Sequence, residues 1–144
     1  MYKFRTMVAD AEKQKEALAR YNEADGPAFK IANDPRITGF GRILRKTGFD
    51  EIPQLYNVMK GEMSLIGPRP MQPEEVLAQD EWHLKRLCVK PGLTCVWQIQ
   101  PERNKVPFDT WMQLDREYVE NWSLVNDFRI FLGTIKTVLV AKGL

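Results

Sequence analysis

One histidine, His83, and two cysteines, Cys88 and Cys95, are the only imidazole and thiol groups in this chain of 144 residues. None shows paired ligand spacing, which argues against a zinc site. The cysteines are expected as two buried free thiols, with a disulfide as the lesser alternative. No apolar run approaches the ~18–20 residues that span a bilayer, and no signal peptide opens the chain, so it is not expected to cross a membrane by itself. A net charge of +2 does not point to nucleic acid. Internal repeats, low-complexity tracts and a second domain are also missing. What is present is ordinary for a globular chain, 44% hydrophobic and 28% charged, and residues 1–144 suit one compact domain.

Against that background the adjacent carboxylates Asp50 and Glu51 stand out, in Thr47-Gly48-Phe49-Asp50-Glu51-Ile52-Pro53-Gln54-Leu55. They are expected to open a short helix. Arg42-Ile43-Leu44-Arg45-Lys46 precedes them and Gly67-Pro68-Arg69-Pro70 follows. Carboxylates beside a helix N-terminus and guanidinium groups suit metal-assisted phosphoryl transfer. Arginines and the helix end hold phosphate oxygens, and one carboxylate attacks phosphorus while a divalent cation masks the repulsion. Successive helical side chains point about 100° apart, so the pair fits poorly as a glycosidase acid and base flanking one bond. The bland alternative is an acidic pair that only complements a helix dipole, worth about 0.3–1 kcal/mol.

Periodicity and turn residues predict an α+β domain, mostly helical with a small sheet or hairpin. Residues 2–7 read as a short strand or extended edge, and residues 8–21 as an amphipathic helix. Turn signals mark 22–35 as a loop. Helices are expected over 37–46, stopped near Gly48, over 50–60, with Pro53 in the first turn and Gly61 as the stop, and over 73–87. Residues 63–66 read as extended, and 93–99 is the best strand. Two helices close the chain, 108–121 and one capped by Ser123 that runs to about Lys142. In the last, Leu124, Phe128, Phe131, Ile135, Val138 and Leu139 form an apolar stripe, broken by Asp127, Arg129, Lys136 and Lys142. Core packing is one reading of that stripe; a helix in the membrane interface, with basic side chains at the headgroups, is the other.

Six blocks in order, Tyr2-Lys3-Phe4-Arg5-Thr6-Met7, Asn33-Asp34-Pro35-Arg36-Ile37-Thr38, Asp50-Glu51-Ile52-Pro53-Gln54-Leu55, Lys60-Gly61-Glu62-Met63-Ser64-Leu65-Ile66-Gly67-Pro68-Arg69-Pro70, Val89-Lys90-Pro91-Gly92-Leu93-Thr94 and Asn121-Trp122-Ser123-Leu124, cover nearly the whole chain. Together they resemble the catalytic domain of bacterial sugar transferases, the polyprenyl-phosphate sugar-phosphate (monotopic phosphoglycosyl) transferases. The resemblance implies transfer of a sugar phosphate from a nucleoside-diphosphate sugar, expected to be a UDP-sugar, to undecaprenyl or a related polyprenyl phosphate. Such a step starts exopolysaccharide, capsule, O-antigen (lipopolysaccharide) or glycoprotein glycan synthesis, at the cytoplasmic face of the bacterial inner membrane. It also implies amphipathic, interfacial C-terminal helices. Asp50 becomes the nucleophile, forming a covalent phosphosugar-aspartate, and Glu51 its support through Mg2+ or a proton contact, in ping-pong order.

Arg69, on its Pro-Arg-Pro turn, matches the family's phosphate-gripping arginine. Arg45, one helical turn and a short loop before Asp50, is placed to reach a phosphate oxygen; Arg5 and Lys90 are further candidates. Where the family often has Gly-Arg-Asn, this chain has Pro101-Glu102-Arg103-Asn104, which carries Arg103 over as a candidate contact. Val125-Asn126-Asp127 replaces a more apolar run. The family also has an N-terminal membrane-inserted helix, often re-entrant, ahead of Tyr2-Lys3-Phe4-Arg5, and this chain begins inside that block. The alternatives are a phosphohydrolase on nucleotide sugars, or a non-catalytic shortened paralogue that binds nucleotide sugar or docks on the membrane enzyme.

Overall fold

A computed structural model describes residues 1–23, 29–77, 81–100 and 106–139. In chain order the described residues form a 3-10 helix Ala19–Tyr21, α1 (Gly39–Thr47), a 3-10 helix Phe49–Glu51, α2 (Gln54–Met59), β1 (Ser64–Ile66), α3 (Pro73–Leu77), a 3-10 helix Glu81–Cys88, β2 (Gly92–Thr94), a 3-10 helix Trp97–Ile99, α4 (Phe108–Glu120) and α5 (Leu124–Leu139). The α+β expectation holds, but the sheet is no hairpin. Strands β1 and β2 pair in parallel, Ser64 opposite Gly92 and Ile66 opposite Thr94, and parallel strands require a crossover, here through α3 and the 3-10 helix after it. The backbones meet closely: a Cβ on Gly92 would lie 2.1 Å from Gly67 N.

Several expected elements change form. Residues 9–18 are consecutive turns ahead of the 3-10 helix Ala19–Tyr21, not an amphipathic α-helix. Their backbone bonds mostly reach back three residues, as from Ala11 N to Val8 O (3.2 Å) and Lys15 N to Glu12 O (3.1 Å). Too few apolar positions recur there to bury a helical face; Ala11 alone of the anticipated set is buried. Residues 2–7 are extended, and Met7 bridges Ile37 antiparallel. The helix expected over 73–87 is α3 plus a separate 3-10 helix, and the strand expected over 93–99 stops at Thr94 so that Trp97 can turn inward.

Helix α1 fits its signals better. Thr38 caps it by accepting from Gly41 N–H (2.9 Å), and Gly48 ends it at φ 75°, where a side chain would be strained. In α4, Phe108, Met112 and Tyr118 turn inward, and Trp111 stacks on Trp97 with ring centroids 4.5 Å apart. Helix α5 starts at Ser123, whose Oγ accepts from Asn126 N–H (3.2 Å). Its inner face holds the fully buried Ile130, and the Thr134 and Thr94 hydroxyls meet at 2.7 Å. The anticipated stripe lies elsewhere. Leu124 (74% exposed), Phe128 (62%) and Leu139 (79%), with Phe131, Ile135 and Val138, all face outward, so core packing is not its role. Lys142 lies outside the described residues. Of the cysteines, Cys95 is buried but Cys88 is exposed, correcting the expectation of two buried thiols; both are free. Burial pushes the Cys95 thiol up to about 12.

Candidate functional site

The left-handed turn at Gly48 passes directly into the 3-10 helix Phe49–Glu51, and Pro53 then precedes α2. Asp50 and Glu51 therefore do not open the helix, as expected from sequence; they sit on the tight turn before it. Helix α2 begins only at Gln54, directly after Pro53, and is six residues long. The pair still lies on the N-terminal side of α2, in the first turn of the 3-10 helix that leads into it. The turn does something else: it buries Asp50 to 3% exposure and leaves Glu51 half-buried beside it.

Residues 1–6 lie along this turn. Phe4 N–H donates to the Asp50 carbonyl (2.9 Å), and Tyr2 N–H donates to Asn57 Oδ1 (2.8 Å). Thr6 O accepts from Thr38 N–H (3.0 Å), which fixes the segment against the start of α1. Lys3 is thereby placed with Nζ 3.0 Å from Asp50 Oδ2 and 3.1 Å from Glu51 Oε1. In the sequence Lys3 carries no mark of this role, because nothing local links it to carboxylates nearly fifty positions away.

The arginines divide into distinct roles. Arg45 is half-buried and donates from Nε to Thr6 Oγ1 (2.9 Å). Desolvation pulls its pKa down, while the charges of Asp50 and Asp34 oppose that pull. Arg69 stands exposed, its guanidinium 5.7 Å from the Trp97 ring centroid, and lines one shallow cleft with Glu51, Gln54, Leu93 and Gln98. The structure therefore brings Asp50, Glu51, Arg45 and Arg69 into one neighbourhood. Arg5 is exposed, with no hydrogen bond or ion pair among the described residues. Lys90 places Nζ beside Gly61 at the end of α2, 3.8 Å from where a Cβ would be. Arg103 lies outside the described residues.

Two buried ion pairs escaped the sequence reading. Asp34 and Arg36 meet at 2.6 Å, and Arg36 also donates to Ala11 O (3.2 Å); their hydrogen bond holds the Asp34 carboxyl below the usual range. This pair locks the loop before α1. Arg86 and Asp115 approach to 2.8 Å with side chains 4% and 1% exposed. They are not aligned as a hydrogen bond, and neither Asp115 oxygen has a hydrogen-bond partner. Desolvation pushes the Asp115 carboxyl up to about 6, although Arg86 opposes the shift. Arg86 also donates through Nη2 to the Arg69 carbonyl and meets the Met71 and Met112 sulfurs through Nη1. A buried guanidinium thus pins the turn that presents Arg69.

Among the described residues no cluster of three or more His, Cys, Asp or Glu forms a metal cage. The arrangement nevertheless fits Mg2+. The Lys3 ammonium shows that one oxygen from each of Asp50 and Glu51 can converge on a single cation. Mg2+ characteristically takes one or two carboxylates and completes its shell with phosphate oxygens and water.

Residues 1–141 match the bacterial sugar transferase family. The chain is 45% identical over 142 residues to the galactosyl transferase CpsE of Streptococcus agalactiae, covering 99% of this chain and 32% of that protein. It is 46% identical over 148 residues to the undecaprenyl-phosphate galactose phosphotransferase of Salmonella typhimurium, covering 99% and 30%. Identity to the exopolysaccharide production protein ExoY of Rhizobium meliloti is 41% over 145 residues, covering 98% and 64%. The chain thus spans about a third of the first two relatives and under two thirds of ExoY.

Proposed function

The chain belongs to the bacterial sugar transferase family, and on that premise we propose that it transfers a sugar phosphate from a UDP-sugar to undecaprenyl or another polyprenyl phosphate at a membrane surface. One observation carries the reading: Asp50 is buried, its carboxylate is neutralised by Lys3, and Glu51 beside it opens into the cleft that reaches Arg69. The names of two relatives, an undecaprenyl-phosphate galactose phosphotransferase and a UDP-galactose-lipid carrier transferase, support the reading.

In the first half-reaction a carboxylate oxygen of Asp50 attacks the phosphorus that bears the sugar. The bond from that phosphorus to the bridging oxygen breaks, and the electron pair leaves with uridine monophosphate. Lys3 lies over the carboxylate, so its side chain swings aside as the diphosphate enters while its charge continues to offset the repulsion between anions. Arg45 and Arg69 hold equatorial and leaving-group oxygens, which suits a reaction dominated by positioning and charge neutralisation. Asp50 and Glu51 would hold Mg2+, which would supply further charge neutralisation there. In the second half a polyprenyl-phosphate oxygen attacks the same phosphorus. The aspartyl oxygen leaves, which regenerates the carboxylate and gives the polyprenyl-diphospho-sugar.

The membrane surface is supported by the outward apolar face of α5, where Phe128 and Phe131 stand near Arg129. No described helix is long and apolar enough to cross a membrane. Intact-protein mass spectrometry tests the chemistry directly, using Mg2+ and a panel of UDP-sugars without lipid acceptor. The expected result is a mass increase of one sugar phosphate, lost in Asp50→Asn. A folded chain that gains no mass with any donor would overturn the covalent mechanism.

A further inference from the structure

Gln54 is the first residue of α2, three positions after Glu51 and so about one turn further along the chain. Its side chain is buried, with the residue only 3% exposed, yet it lines the same cleft as Glu51 and Arg69. Among the described residues its carboxamide has no hydrogen-bond partner. Neighbouring buried polar groups are paired, as when Asn57 takes Tyr2 N–H and gives Nδ2–H to Glu62 (2.6 Å). Neither carboxamide atom is among the fully buried unpaired polar atoms, so the group stays accessible from the cleft, where a ligand can take the place of water as its partner.

We infer that Gln54 hydrogen-bonds hydroxyl groups of the transferred glycosyl unit and so helps to set donor specificity. This rests on the function proposed above and adds the residue that reads the sugar. The chemistry of the group argues for hydroxyls. A carboxamide both donates and accepts, as does a hydroxyl, whereas phosphate oxygens only accept and the exposed Arg69 already serves them. Position argues for the sugar and not the nucleoside. Asp50 attacks the phosphorus bearing the sugar, and Gln54 lies one turn from that carboxylate. Gln98 lines the same cleft, with its side-chain carbonyl accepting from Cys95 Sγ (3.4 Å), which leaves its NH2 group to donate. A site built to hydrogen-bond hydroxyls discriminates against ligands that lack them or place them differently.

The test is equilibrium binding by calorimetry, in an Asp50→Asn background so that no chemistry intervenes. The ligands are UDP-glucose, UDP-galactose, UDP-N-acetylglucosamine and UDP. The unaltered Gln54 site should bind at least one sugar nucleotide more tightly than UDP. Gln54→Met should remove that preference, weakening the favoured sugar about tenfold, the loss of one hydrogen bond, while UDP affinity stays constant. Constant UDP affinity also reports an intact fold. Should the Met variant not fold, Gln54→Asn keeps the amide but withdraws it by one methylene, and should narrow the preference. Equal affinity for UDP and every UDP-sugar before substitution would overturn the inference alone. So would a preference that survives Gln54→Met, or UDP affinity that falls in step. Failure of all four ligands to bind would sink the nucleotide-sugar reading along with it.

Discussion

Replacing the Arg86–Asp115 pair by apolar residues, as Arg86→Met with Asp115→Leu, is expected to stabilise the fold and to cripple transfer. Both charges are almost fully out of water, and neither Asp115 oxygen is hydrogen-bonded. In such a setting desolvation outweighs attraction, and apolar replacement of a buried pair is often neutral or stabilising by about 1–4 kcal/mol. The raised Asp115 carboxyl points the same way: a rise from 3.8 to about 6 corresponds to roughly 3 kcal/mol. A carboxyl whose folded pKa exceeds its unfolded value favours folding while protonated. That contribution is intact below 3.8 and is lost as pH rises through about 6. Urea denaturation followed by tryptophan fluorescence reads the effect, since the Trp97–Trp111 stack belongs to the same core. With a slope of about 2 kcal/mol per molar, the midpoint of the double variant should rise by about 1.5 M at pH 7. The gap should narrow towards pH 4. Transfer should fall because the Arg69 carbonyl loses its donor. A lower midpoint at pH 7, a gap indifferent to pH, or undiminished transfer would each refute the reasoning.

Three further outcomes follow from the geometry. Gly92→Ala should cost at least about 2 kcal/mol in thermal or urea unfolding, because the new Cβ would meet Gly67 backbone atoms at 2.1–2.6 Å. An aromatic disulfide reagent should titrate one thiol in the native chain, the exposed Cys88, and the second only on unfolding, since Cys95 is buried with its thiol pushed up to about 12. Phe128→Ser with Phe131→Ser should abolish pelleting with anionic liposomes at low salt without lowering stability by more than about 1 kcal/mol, as both side chains already face outward.

Much of this was legible because it is local. The stop at Gly48, the Ser123 start of α5 and the extended residues at 64–66 all follow from residues adjacent in sequence. Asp50, Glu51 and Arg69 were singled out by charge and by the rigid turn around Arg69. The failures share a cause. Whether residues 8–21 close as a helix, or whether α2 reaches back to Asp50, depends on tertiary competition that helical spacing does not report. Lys3 and Gln54 gave no signal, one being a common surface type and the other a plausible first helical residue. Their importance comes only from what folds against them. The α5 stripe was visible as a stripe, but periodicity is blind to which side the domain lies on.

The seating of residues 1–6 has a consequence for cooperativity. Lys3 reaches Glu51 across 48 positions, Arg45 reaches Thr6 across 39, and Tyr2 reaches Asn57 across 55. Closing loops of this length costs chain entropy on the order of 3 kcal/mol before any contact offsets it, and such contacts form late when folding is limited by non-local pairing. The carboxylate dyad therefore gains its Lys3 counterion only once the two ends of a long stretch of chain have met. A partly assembled chain holds two adjacent anions without their counterion, so the order of the dyad reports completion of the fold.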